Sequence, residues 1–251
     1  MTIPKKSLLQ PAYVLHQRPY RETSVILEIF TRDYGRVAVV AKGVRGKRAK
    51  FRGILQPFQS LLISWSGRSD LVNLQDVESF DVPLDLSGRL LICAWYLNEL
   101  LLKLLIQDDA YPSLFDSYRQ VLVEFSRLND PDSAKALDVG IQCQLRFFEK
   151  LLLEQTGYGL NLTHEAQTGQ PIDEQHQYFY LADQGPVIAR DEQSERTVLG
   201  SSLLAFSQHI LHTNQQLRDA RLIARTALTP MLGGRPLKSR ELFRDYCQMK
   251  V

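Results

Sequence analysis

Five short apolar runs crowd the first eighty residues: AYVLHQ, TSVILEIFT, RVAVVAK, SLLISWS and DLVNLQDVES. Val, Ile and Leu recur through them with partial period-two alternation, the signature of strands with one buried face. RDYG at 32–35 and SGRSD at 66–70 supply turns between the runs. Five short strands in one small domain point to a compact barrel. The OB-fold is the commonest nucleic-acid-binding barrel of that size, and an SH3-like barrel has the same strand count.

Around DVPLDLSG the period changes. Residues 86–107 are rich in Leu and read as a buried helix. A second helix is expected over 112–128, with Pro112 at its start and Leu114, Phe115, Tyr118, Val121, Leu122, Phe125 and Leu128 on one face. A third runs from about Ser133 to Gln155, striped by Leu137, Ile141, Leu145, Phe148 and Leu152, until TGYGLN stops it. Residues 160–195 lose helical periodicity and read as a small hairpin region. Helix returns at 201–212, 215–231 and 239–247. The expectation is therefore α+β: a barrel domain over about 1–80, then a mainly helical domain over 81–251 with a small irregular insertion.

A chain of 251 residues, 44% hydrophobic and 23% charged, has the composition of an ordinary soluble globular protein. Its first residues carry two lysines but no long apolar run, so no signal peptide is expected. The most apolar stretch, LNELLLKLLI, is short and broken by Lys103, so no membrane partner is expected. Cys93, Cys143 and Cys247 are odd in number and far apart, and read as unpaired thiols in a reducing cytoplasm.

Charge is distributed unevenly. Residues 1–80 hold thirteen Lys+Arg against six Asp+Glu, whereas 81–251 hold seventeen against twenty-two. The excess gathers in AKGVRGKRAKFRG, where Lys42, Arg45, Lys47, Arg48, Lys50 and Arg52 lie within eleven residues, with Arg32 and Arg36 just before them. Short charge runs are usually solvated loops. This density, with glycines 43, 46 and 53 to let the backbone approach closely, suits a clamp on a sugar-phosphate backbone. Phe51, among the cations, is the one aromatic nominated for base stacking; of Tyr13, Tyr20, Tyr34, Phe58 and Trp65 nearby, most read as core.

A second basic stretch follows Arg218, Arg221 and Arg225, which share a helix face, with Arg235, Lys238, Arg240 and Arg244 after them. It fits an exposed helix face or a second polyanion site. Motifs of catalysis are missing: there is no Gly-x-Ser-x-Gly, P-loop or Gly-x-Gly-x-x-Gly, and the five histidines show no ligand spacing. The reading is a binding protein without a cofactor.

Residues 12–68 resemble the N-terminal domain of the RecO family of bacterial recombination and repair mediators. The likeness rests on LHQRPYRETS, on GRV, on AKG at the entry to the basic loop and on LQPF. YLNELL at 96–101, LRFFEKLLLEQTGYGLNL at 145–162 and GGRPLKSRELFR at 233–244 continue it in order. The resemblance implies an N-terminal OB-fold and a helical domain. It also implies a non-enzymatic role: binding single- and double-stranded DNA, annealing complementary strands, contacting the acidic tail of single-stranded-DNA-binding protein, and helping RecR load RecA. On that reading Lys42, Arg45, Lys47, Arg48, Lys50, Arg52 and Arg36 contact DNA.

Many relatives carry a four-cysteine zinc module where this chain has no cysteine between Cys143 and Cys247, so no metal is expected. A tail ending in acidic residues, an apolar aromatic and a free carboxylate needs an apolar pocket rimmed by cations. Arg146 with Leu145, Phe148 and Leu152 offers one on a single helix. Alternatively Arg146 pairs with Glu149 or Glu154 on its own helix, a surface pair worth under about 1 kcal/mol. Rival readings are an RNA-binding accessory factor on the same barrel, a metal-dependent nuclease and a protein scaffold.

Overall fold

The computed structural model describes residues 5–45, 51, 53–129, 134–189, 196–233 and 236–248. The chain divides into two compact units, one of Met1–Asn129 with Pro236–Val251 and one of Asp130–Arg235.

In the first unit β1 (Lys5–Tyr20), β2 (Ser24–Thr31), β3 (Gly35–Ala41), β4 (Leu61–Gly67) and β5 (Leu71–Ser79) close a barrel in the order β1-β2-β3-β5-β4. Neighbours are antiparallel except β3 and β5, which run parallel. The first half of β1 pairs with β4 and the second with β2, so Ala12 lies opposite both Leu61 and Thr31. One long strand thus closes the cylinder, in the manner of an OB-fold.

Alternation fills the interior. Val25, Leu27 and Ile29 of β2, Val37, Val39 and Ala41 of β3, and Leu61, Ile63 and Trp65 of β4 form one core. The outer face of β1 and β2 is partly apolar because helices cover it. These are α1 (Gly88–Leu104) and α2 (Pro112–Arg127), the latter opened by proline, whose fixed φ suits the first turn. Tyr13 and Phe30 stand 5.6 and 5.4 Å from Phe115, and Tyr118 meets both edge-on. Beneath them the buried Asn98 amide donates to Leu15 O at 3.0 Å and accepts from Tyr118 OH at 2.5 Å.

The second unit holds α3 (Ala134–Gln155), β6 (Gln177–Leu181), β7 (Gly185–Ile188), β8 (Thr197–Leu199), α4 (Gly200–Ser207) and α5 (Asn214–Met231). The expected hairpin is β6–β7, and β8 adds a third strand to give the order β7-β6-β8. The helix expected over 201–212 ends at Ser207, because His209 turns to φ +61. A capping box then starts α5: Gln216 N donates to Thr213 Oγ1 at 3.2 Å, and Gln216 Oε1 accepts from Thr213 N at 3.1 Å. The chain returns to the first unit as α6 (Lys238–Gln248), whose first turn is capped by Glu99 of α1, accepting from Lys238 N at 3.1 Å and Ser239 N at 3.0 Å.

Side-chain hydrogen bonds hold the turns of 161–176. Glu165 Oε2 accepts from Gln167 N at 2.9 Å and from the Thr168 hydroxyl at 2.7 Å. Asn161 brackets His164, accepting from its N–H at 3.2 Å and donating to its carbonyl at 2.9 Å. Among the described residues no three His, Cys, Asp or Glu side chains gather as metal ligands would.

Candidate nucleic-acid interface

The basic loop leaves the barrel at the end of β3. Lys42 and Arg45 are exposed, and Gly43 between them takes φ +72 with open space around it. Apolar residues anchor the loop at both ends. Val44 on one side, and Phe51 and Ile54 on the other, pack against the barrel core. Phe51 is therefore an anchor of the loop, and its nomination as a stacking ring gives way to that packing. Lys47, Arg48, Lys50 and Arg52 lie outside the described residues.

Arg36 sits differently. Its Nη1 lies 3.3 Å from Glu28 Oε2 across the β2–β3 pair, and both side chains are about four-fifths buried. Its charge is already partnered within the barrel wall.

The fold brings further groups to the loop that sequence order did not suggest. Arg45 N donates to Thr23 O at 2.9 Å, tying the loop to the β1–β2 turn. Arg18 and Arg21 are exposed there, and Tyr20 between them is half-buried. The Arg21 guanidinium lies over the Tyr20 ring, 5.1 Å from its centroid. The signal was in RPYRE, two cations and an aromatic running from the end of β1 into its turn, and the β2–β3 pairing, with Val25 opposite Ala41, places it beside a loop about twenty residues away. Four exposed cations, Arg18 near the end of β1, Arg21 in the turn after it, and Lys42 and Arg45 in the loop, thus lie at two connections fastened to each other, with Glu22 the exposed acid of that turn.

In the second unit Arg218, Arg221 and Arg225 are exposed along α5, as their spacing requires. The one carboxylate of that helix, Asp219, is buried and accepts from Leu199 N and the Gln215 amide. Lys238 and Arg240 are exposed on α6 in the other compact unit, and Arg240 lies 6.0 Å from the centroid of Tyr96. Arg235 is outside the described residues. Of the cations expected as one basic segment, Arg218, Arg221 and Arg225 are therefore on α5 of the second unit, and Lys238 and Arg240 on α6 of the first.

Arg146 donates to Glu149 at 2.7 Å on α3. The expectation of a surface pair is corrected by burial: the two side chains are 10% and 1% exposed. Leu145, Phe148 and Leu152 are buried as well, at 9%, 1% and 0%.

Comparison with known proteins agrees along nearly the whole chain. The family model for the recombination protein O N terminal matches residues 6–82, and that for its C terminal matches residues 86–241. A DNA repair protein RecO of Vibrio cholerae is 42% identical over 237 residues, covering 94% of each chain. The RecO of Methylococcus capsulatus is 44% identical over 242 residues, 96% of this chain and 95% of that one. The RecO of Coxiella burnetii is 40% identical over 238 residues.

Proposed function

The chain belongs to the recombination protein O family of DNA repair proteins, and from that premise we propose that it works by holding DNA strands through their backbones. The barrel end carries the reading. Lys42 and Arg45 are exposed beside Arg18 and Arg21, on connections fixed to the barrel by the Arg45–Thr23 bond. Phosphate contacts release counterions and give affinity with little regard to sequence. Lys47, Arg48, Lys50 and Arg52 extend the same charge along the loop, while Arg36 supports the wall through Glu28.

Neutralising two strands while leaving their bases accessible favours annealing. The arginines of α5 supply a second cationic face, so the protein holds one strand on each unit. Through the family it works with RecR and single-stranded-DNA-binding protein in loading RecA. The acidic tail of that binding protein is assigned to the side of α3 that carries Arg146. Nothing in this scheme requires a covalent step, so the protein is not an enzyme.

The test is to mix complementary oligonucleotides with the protein. Faster annealing and salt-sensitive binding of both single strands support the proposal. Stronger binding of RNA than of DNA of one sequence would favour the RNA-binding reading, and cleavage of labelled DNA with magnesium would favour a nuclease.

A further inference from the structure

Tyr20 is the odd ring of the barrel. It pairs with Ser24, and the next residue of β2, Val25, points into the core. Directly paired residues share a face of the sheet and neighbours along a strand alternate, so Tyr20 faces away from the interior. His16 and Arg18 precede it in step, both exposed. Among the described residues, the partly buried apolar side chains packed against the core of Val25, Leu27 and Ile29 are Val44, Phe51, Ile54 and Leu74, and Tyr20 stands apart from them.

The turn after Tyr20 is strained in a directed way. Arg21 takes φ +51, a left-handed conformation that side chains with a Cβ seldom adopt. That conformation accompanies the placing of its guanidinium over the Tyr20 ring at 5.1 Å. Two residues later Thr23 O accepts the Arg45 N–H that fastens the basic loop. An aromatic ring backed by a cation, facing away from the core and beside three further exposed cations, has the composition of a stacking platform for unpaired bases.

We propose that Tyr20, backed by Arg21, stacks on a base of single-stranded nucleic acid while Arg18, Lys42 and Arg45 hold the adjoining phosphates. This deepens the DNA-binding reading and rests on it: it names the group that touches bases. Bases inside a duplex are already stacked, so Tyr20 adds to single-strand affinity and nothing to duplex affinity. The contact is indifferent to base identity, since every base has a π-face.

The test compares wild type, Tyr20→Leu and Tyr20→Phe on a twenty-nucleotide oligothymidylate and on an abasic oligonucleotide of equal length, at one salt concentration. Tyr20→Leu should weaken oligothymidylate binding by about fivefold to a hundredfold, the effect of losing one stacked base. It should leave abasic binding within about twofold, which also shows that the variant is folded, and Tyr20→Phe should match wild type. A Tyr20→Leu variant that loses affinity for both oligonucleotides equally would make the ring a support for the turn and overturn the inference. So would a variant that binds both as wild type does. Wild-type protein that binds neither oligonucleotide would sink the DNA-binding reading and this inference together.

Discussion

The carbonyl oxygen of Asp109 lies where a side chain on Gly35 would begin: a Cβ there would stand 1.6 Å from it. Gly35 opens β3 at φ +65, and the next residue, Arg36, accepts from Asp108 N at 2.9 Å. The α1–α2 connection is thereby laid against the β2–β3 turn. Gly35→Ala should destabilise the protein by roughly 2–5 kcal/mol, from the left-handed backbone and the clash together. Gly43→Ala isolates the first contribution, because Gly43 has φ +72 and nothing within 4 Å; it should cost only about 1–2 kcal/mol. Urea unfolding of the two variants measures the difference, and equal losses would show that Asp109 yields freely.

Burial reverses what Arg146 contributes to folding. With Glu149 only 1% exposed, removing the guanidinium leaves a desolvated carboxylate without that ion partner. Arg146→Ala should cost about 3–5 kcal/mol, whereas Arg146→Met with Glu149→Leu should restore most of the loss. Chemical denaturation reads both. Tail-peptide affinity is then best compared between wild type and the double variant, which keeps the fold; equal affinity would remove Arg146 from the tail site.

Arg21 separates stability from binding. Glycine suits φ +51 without steric cost, so Arg21→Gly should leave stability unchanged or raise it by up to about 1 kcal/mol. Single-strand affinity should fall, because a phosphate ligand and the support of the Tyr20 ring disappear together. Thermal unfolding and oligonucleotide anisotropy on one preparation decide it. A variant both less stable and equally tight in binding would contradict the role given to this residue.

The turn at Glu165 gives the second unit an acid dependence. Hydrogen bonds, first from the Thr168 side chain and then from backbone N–H groups, hold its carboxyl below the usual range. A carboxyl with a lower pKa folded than unfolded contributes stability above its unfolded pKa, and that contribution is lost as pH falls through the folded value. Glu165→Gln should therefore flatten the loss of stability on acidification below about pH 4.5, read by thermal melts across pH. Chelator should leave the same melts unchanged, since no cysteine lies between Cys143 and Cys247 to ligate a structural zinc.

The barrel was legible in the chain because five short apolar runs with partial alternation are separated by turn residues, as at RDYG and SGRSD. The helices of 88–104 and 112–127 followed from their apolar faces. What sequence could not supply was proximity. Tyr20 was grouped with several aromatics that read mostly as core, and Phe51 looked available because its neighbours are cations; strand register turns Tyr20 outward, and packing against the core holds Phe51. β8 escaped because three residues running straight into a helix carry no period. Arg146 and Glu149 were recognisable as an i,i+3 pair, but their burial depends on packing that no local pattern encodes. Arg218, Arg221 and Arg225 were read correctly as one face, since helix geometry alone decides that.

The central claim is that the loop after β3 holds phosphates. Replacing Arg45, Lys47, Arg48 and Lys50 together should leave the fold intact, because a run of cations contributes little to a hydrophobic core. Binding of a single-stranded oligonucleotide should be titrated at several salt concentrations for this variant and for wild type. Affinity should fall, and the slope of log affinity against log salt should shrink by roughly 0.7 for each phosphate the variant no longer neutralises. An unchanged affinity with an unchanged slope would place the DNA elsewhere and contradict the account.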